Sequence, residues 1–270
     1  MIRSFRSELL KMRRPSVVFG AGGAMLGFAL LATVLTFVTA DAFTTAAVVR
    51  PPSEGAGFDA ILADLGQAGG LTRGFSIAAG FISLLVFVVF LTSVTAEYGH
   101  GTLRVLLTRE PGRARLLGGK VLALLAGTAA ALLVAQLFSA GAAVILAGLR
   151  EVPTGEWFSG TGVVAAGGDY LNALLTATFF GVLGIALGVL LRATPLALGV
   201  GLAWLMPFEH IVQNGWAGAG RWFPGLVFEA VGRGGNAVTT YQRSLVLAVA
   251  FTAVAFIAGS ASFMRRDVST

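Results

Sequence analysis

The sequence predicts an all-α membrane protein with six transmembrane helices and both termini in the cytoplasm. Three observations lead there. Of 270 residues, 56% are hydrophobic and only 12% charged, whereas soluble domains carry about 25% charged residues. Apolar runs recur at the length, about 20 residues, that a helix needs to cross roughly 30 Å of hydrocarbon. Arginine and lysine gather on alternate connections between those runs, the asymmetry that sets orientation in a bilayer.

The spans run Val17–Thr39, Phe75–Val94, Val121–Leu146, Leu171–Leu191, Leu196–Val212 and Ser244–Phe263. Ala40-Asp41-Ala42 has the look of a signal cleavage site. The 23 apolar residues before it exceed the 7–15 of a signal peptide's apolar region, so they read as a retained span. The fifth span is the weakest, because Pro207, Glu209 and His210 interrupt it. Its apolar part, Leu196–Met206, reaches only about 16 Å.

With these spans, one side receives Met1–Ser16, Thr95–Lys120, Arg192–Pro195 and the tail from Met264. That side carries 13 basic and 4 acidic residues, against 6 basic and 9 acidic on the other. The basic side is the cytoplasmic one, and the number of spans is even. Tyr98, Trp157, Tyr170, Trp216, Trp222 and Tyr241 fall near span ends or in flanking loops, as interfacial rings do. Trp204 is the exception. The whole chain, 1–270, reads as a single transmembrane domain.

Residues 1–16 predict an interfacial helix. Ile2, Phe5, Leu9 and Met12 form a stripe at helical spacing. Arg3, Arg6, Lys11, Arg13 and Arg14 surround it, able to snorkel to lipid headgroups. A plain positive-inside anchor would carry the same charges. In the Ala40–Gly74 loop, Phe58, Ile61, Leu62 and Leu65 predict a short amphipathic helix on the outer surface. Gly23-x-x-x-Gly27 and Gly184-x-x-x-Gly188 predict close backbone packing between spans. There is no convincing internal repeat.

The function classes narrow by elimination. The chain has no cysteine, which excludes disulfides, thiolate metal sites and cysteine nucleophiles. The net charge of +6 comes from residues flanking apolar runs, which points to membrane orientation rather than nucleic acid. A phosphate-cradling loop needs G-x-x-x-x-G-K-[ST]. Gly119-Lys120 is followed by Val121, and Ala114 stands where the first glycine should be, so this motif does not bind ATP here. His100 and His210 fall on opposite sides of the membrane and share no metal. No Ser-His-Asp set can be proposed from spacing.

Polar residues at membrane depth are the remaining candidates, because they are costly there. Gln136 and Ser139 lie in the third span. Gln136 lines a substrate path or bonds a neighbouring helix. Pro207 predicts a break or kink just before Glu209 and His210, placing both at a cavity, a gate or the outer mouth. The segment 208–242, with Trp216, Trp222, Phe223 and Phe228, predicts one or two re-entrant or interfacial helices. Phe28, Phe81, Phe87 and Gln136 are candidates for lining a path for an amphiphile.

Between spans two and three lies TAEYGHGTLRVLLTREPGRARLLGGK, residues 95–120, with five basic and two acidic residues. Gly99 and Gly101 predict a bend, and Thr102 an N-cap for a short helix holding Leu103, Leu106 and Leu107. Pro111 and Gly112 end it. Arg113, Arg115 and Lys120 lead into the third span. The product is a short cytoplasmic helix clamped between two spans. Orientation explains the arginines but not Glu97, since acidic residues contribute little to it.

At this point the chain resembles the ABC-2-type permeases, the membrane subunits of ABC transporters. The matching pieces are Glu97-Tyr98-Gly99-His100-Gly101-Thr102-Leu103-Arg104, then Arg113 and Lys120. Arg6-Ser7-Glu8-Leu9-Leu10-Lys11-Met12-Arg13-Arg14 is similar to the family's N-terminal helix. Leu190-Leu191-Arg192-Ala193-Thr194-Pro195 and the ending Arg265-Arg266-Asp267-Val268 also match. Glu110-Pro111-Gly112 departs from the family's usual step before the arginine.

The resemblance implies a permease subunit of an ATP-driven exporter in the cell membrane, in a bacterium the inner membrane. It implies partners: an ABC ATPase subunit, two per complex, a second permease copy or paralogue, and membrane lipids. ATP and magnesium would be held by the ATPase, and this chain would bind no cofactor and hydrolyse nothing. Glu97–Arg104, Leu107, Arg113 and Arg115 would form the ATPase-coupling element. Drugs, peptides, lipids and polysaccharides are the family's cargo classes. An ion-coupled secondary transporter or channel, built on a broken fifth span, is the alternative; a scaffold or immunity protein is a third.

Overall fold

The computed structural model describes residues 2–12, 18–40, 62–102, 106, 108, 112–236 and 238–265. Among them there is no strand. The helices are α1 (Ile2–Met12), α2 (Gly23–Thr39), α3 (Arg73–Gly99), α4 (Arg113–Leu149), α5 (Gly160–Leu191), α6 (Thr194–Ala203), α7 (Glu209–Gly215), α8 (Pro224–Gly232) and α9 (Tyr241–Arg265). Six helical stretches are long and apolar enough to cross a membrane: Phe19–Thr39, Gly70–Gly99, Arg113–Leu149, Gly160–Leu191, Thr194–Gly215 and Tyr241–Arg265. The chain is a multi-pass membrane protein, and each predicted span has its helix.

The central pair is α3 against α5. Helices in lipid gain little from apolar burial and associate through close packing instead. Gly181, Gly184 and Gly188 supply it. A Cβ at Gly184 or Gly188 would press on the carbonyl of Phe87 or Leu91, and one at Gly181 on the Phe90 ring. The predicted contact at Gly184 and Gly188 is therefore present. The one at Gly23 and Gly27 is not, since both face open space.

Hydroxyls and amides reinforce the bundle. Thr33 of α2 and Ser139 of α4 lie 2.6 Å apart, and the Tyr170 hydroxyl donates to the Ala129 carbonyl at 3.0 Å. Gln136 donates to the Ala166 carbonyl at 2.8 Å, so its amide joins α4 to α5. Phe87 is fully buried under Gly201, which removes it from any path. Phe28 and Phe81 stack at 6.2 Å and stay exposed.

Two expectations about loops change. Trp157 is not an interfacial ring but a core residue, packed edge-on against Phe37 and donating to the Leu65 carbonyl at 2.8 Å. Leu65 is buried with it, so the one-turn helix Leu62–Leu65 tucks inward rather than lying on the surface. Phe58 and Ile61 lie outside the described residues.

The fifth span is not broken. Between α6 and α7 the chain makes a π-turn over Trp204–Phe208, and the helix continues from Thr194 to Gly215. Pro207 lacks an amide hydrogen and cannot make its i→i−4 bond. The wider turn absorbs that gap, and the Glu209 amide bonds back to the Trp204 carbonyl.

Within segment 208–242, α8 is the main element. Pro224 sits in its first turn, a favoured place because the missing amide hydrogen has no partner to lose there. Five of its residues from Leu226 to Val231 are buried, and α8 wedges against α5 and α9. Phe228 meets Phe179 and Phe180 at 5.4 and 5.3 Å, and its carbonyl accepts from the Thr176 hydroxyl at 3.3 Å.

Candidate coupling site

At one end of the bundle, charge is buried. Lys120 stands seven residues into α4 and is 4% exposed. Its ammonium lies 2.8 Å from Glu97 of α3 and 3.0 Å from Glu8 of α1. A third bond, 3.2 Å, reaches the Ser93 carbonyl. An ammonium has three donors, and here each has an acceptor. One lysine thus joins three helices, and a buried charge is tolerated only when paired in this way.

The end of α5, the start of α6 and the end of α9 meet the same end of the bundle. The Arg192 guanidinium sits over the Tyr98 ring, 5.2 Å from its centroid. Arg192 caps α5 in the left-handed conformation, φ 57°. Such a backbone costs a non-glycine residue on the order of 1 kcal/mol. The Thr194 hydroxyl, at the start of α6, donates to Thr95 at 2.7 Å. Arg113 donates to the Phe263 and Met264 carbonyls, each at 3.2 Å, which satisfies the last turn of α9 as a basic side chain does at a helix C-terminus. A narrow crevice lies between these groups, lined by Val94, Glu97, Tyr98, Leu116, Lys120 and Phe263 among others.

The predicted coupling residues divide accordingly. Glu97 turns inward and Tyr98 is half-buried, while Gly99, His100, Gly101, Thr102 and Arg115 are exposed. His100 Nδ1 lies 2.7 Å from the Ala96 carbonyl. Gly101 has φ 64°, which glycine adopts without strain. Thr102 is already helical, as are Leu106 and Thr108. Its hydroxyl donates backward to the Glu97 carbonyl at 3.5 Å. Leu103, Arg104 and Leu107 lie outside the described residues.

Residues Ile2–Met12 do form a helix, and the side it turns to the bundle carries an acid. Glu8 is buried, Phe5 and Leu9 are half-buried beside it, and Arg6 is exposed. The Lys11 side chain, Arg13 and Arg14 lie outside the described residues. Sequence reasoning missed Glu8 and Lys120 as partners. The signal was present: Glu8 sits at helical spacing with Phe5, Leu9 and Met12, and a charge on an apolar face needs a counter-charge. It also missed Arg192, a lone cation directly after an apolar run.

The predicted gate residues form a second cluster, 15 residues along the fifth span from Thr194 and therefore about 22 Å away. Glu209 is fully buried. Its Oε2 accepts from the Leu226 amide in the first turn of α8 at 2.9 Å, while Oε1 has no hydrogen-bond partner. His210 Nε2 lies 3.4 Å from Glu229 of α8, whose other oxygen accepts from Arg233 at 3.2 Å. Gln136 is not part of this cluster. Beside it, Trp204, Phe208 and Phe223 form an aromatic group with centroids 4.6 to 6.1 Å apart.

Among the described residues, no group of three or more His, Asp or Glu side chains could hold a metal ion. No protein-family model matches the chain, and no curated protein is significantly similar to it.

Proposed function

We propose that this chain is the membrane subunit of an ATP-driven ABC transporter of the ABC-2 type, exporting an amphiphile by alternating access. The observation that carries this reading is the anchoring of the 97–113 segment. Glu97 is tied to α1 and α4 through Lys120, Tyr98 to the α5–α6 turn through Arg192, and Arg113 to the end of α9. A push on the segment would reach every span except the first directly. That is what a soluble motor needs from a membrane partner.

In this reading both termini and the 95–120 segment face the cytoplasm, in a bacterium across the inner membrane. Gly99–Thr102 and Arg115 present the surface that an ABC ATPase would grip. Glu97 acts behind that surface as a tie. ATP and magnesium belong to the ATPase, two per complex. A second permease copy or paralogue completes the pathway, and the fifth and sixth spans, exposed along most of their length, leave room for it or for lipid. The ion-coupled alternative loses its geometric motive, because the fifth span is continuous.

The deciding experiment is purification from native membranes. A stoichiometric co-purifying ATPase with a Walker A sequence supports the proposal, and its absence under conditions that retain the protein's activity sinks it. Within such a complex, Glu97→Ala should leave the subunit in the membrane while uncoupling ATP hydrolysis from transport.

A further inference from the structure

We propose that Glu209 is a proton-binding site whose occupancy locks α8 into the bundle. The inference concerns the far end of the fifth span and does not depend on an ATPase partner. Glu209 has no exposed surface. Its Oε2 accepts from the Leu226 amide, and the Gly225 amide and the Trp204 side chain also face this carboxylate. Oε1 is buried and has no hydrogen-bond partner. An isolated ionised carboxylate in such a place is too costly to persist, and the group neutralises instead.

The charged groups facing this carboxylate do not supply the missing charge. On its own helix the neighbour is His210, already directed to Glu229. From α8 come Glu229, which adds a like charge, and Arg233, which pairs with Glu229. From the 3-10 turn Ala217–Arg221, Arg221 points its Nε to the Val238 carbonyl at 3.0 Å. A metal cation would need six or so oxygen ligands, and a single open oxygen supplies one. A proton needs only Oε1. With the proton there, Oε2 still accepts from Leu226, so neutralisation leaves the cap on α8 intact.

The consequence is mechanical. Loss of the proton leaves a carboxylate that must be hydrated, and water reaches it only if the first turn of α8 lifts away. Gly225 permits the seat, since a Cβ there would strike Glu209. Docked α8 therefore binds one proton more than undocked α8, and docking weakens as pH rises. A one-proton linkage changes the docking equilibrium by up to about tenfold per pH unit between the carboxyl's undocked and docked midpoints.

Full-length protein in lipid nanodiscs tests this by infrared spectroscopy and amide hydrogen exchange. The wild type should show a protonated-carboxyl C=O band that Glu209→Gln abolishes and Glu229→Gln leaves in place. After correction for intrinsic rates, exchange in α8 should accelerate by up to about tenfold per pH unit as pH rises toward the midpoint of that band and level off beyond it, and Glu209→Gln should be flat. A band absent from the wild type, retained in Glu209→Gln, or lost in Glu229→Gln overturns the assignment. If Glu209→Gln does not fold, the wild-type titration decides alone: α8 exchange that ignores pH overturns the lock.

Discussion

Lys120 holds two carboxylates and a backbone carbonyl with one ammonium. Removing one member of a buried ion pair costs about 3–5 kcal/mol, because the remaining charge keeps its desolvation without its counter-charge. Lys120→Met should therefore lower the thermal unfolding midpoint of the purified protein far more than Glu97→Gln, which keeps an acceptor for the same ammonium. Equal midpoints for the two variants would show that the lysine does not organise the cluster. This residue was read from the sequence as a charge leading into a span. Its position was legible; its partner was not, because Glu8 lies 112 residues away and only the folded chain brings them together. Glu209 shows the converse. The sequence located a polar residue at membrane depth, but burial was decided by Gly225 and Leu226, which no local pattern links to it.

Helices were the most legible level, because a span announces itself by length and hydropathy. The six predicted spans each match a helix, and all but the first of these helices run past a predicted end, most of all the fourth, which begins at Gly160 rather than Leu171. Helix interfaces were read correctly only where glycine faces a neighbour. The Gly184 and Gly27 patterns are alike in sequence, yet one meets a carbonyl and the other nothing. Gly184→Ala should cost about 1–3 kcal/mol by overpacking α3 against α5, whereas Gly27→Ala should be neutral or stabilising, alanine being the better helix former by about 1 kcal/mol. Denaturation of both variants in one detergent, reading fraction folded, checks the contrast; a reversed order would contradict the packing. Pro207 widens the helix rather than breaking it for a related reason. The lost hydrogen bond is local, but whether a helix breaks or widens depends on what the following turn can reach, and Glu209 reaches Trp204.

For the whole molecule, five candidate spans separate Glu8 from Asn214, so the predicted topology puts them on opposite faces of the bilayer. The chain contains no cysteine, so Ser7→Cys and Asn214→Cys, introduced one at a time, report without background. A membrane-impermeant maleimide should label Asn214→Cys from outside intact cells and Ser7→Cys only after lysis. Labelling of both from the same side would require an even number of crossings between them. The tie between Glu8 and Lys120 also sets a timetable for synthesis. The N-terminal helix leaves the ribosome first, yet its counter-charge arrives only with the start of the third span. Until then Glu8 must wait at the membrane surface, hydrated. Ribosome-bound chains stopped before residue 113 should leave α1 open to protease, and chains long enough to have inserted the third span should shield it. The helix Ile2–Met12 is thus translated before the third span and seated only with it.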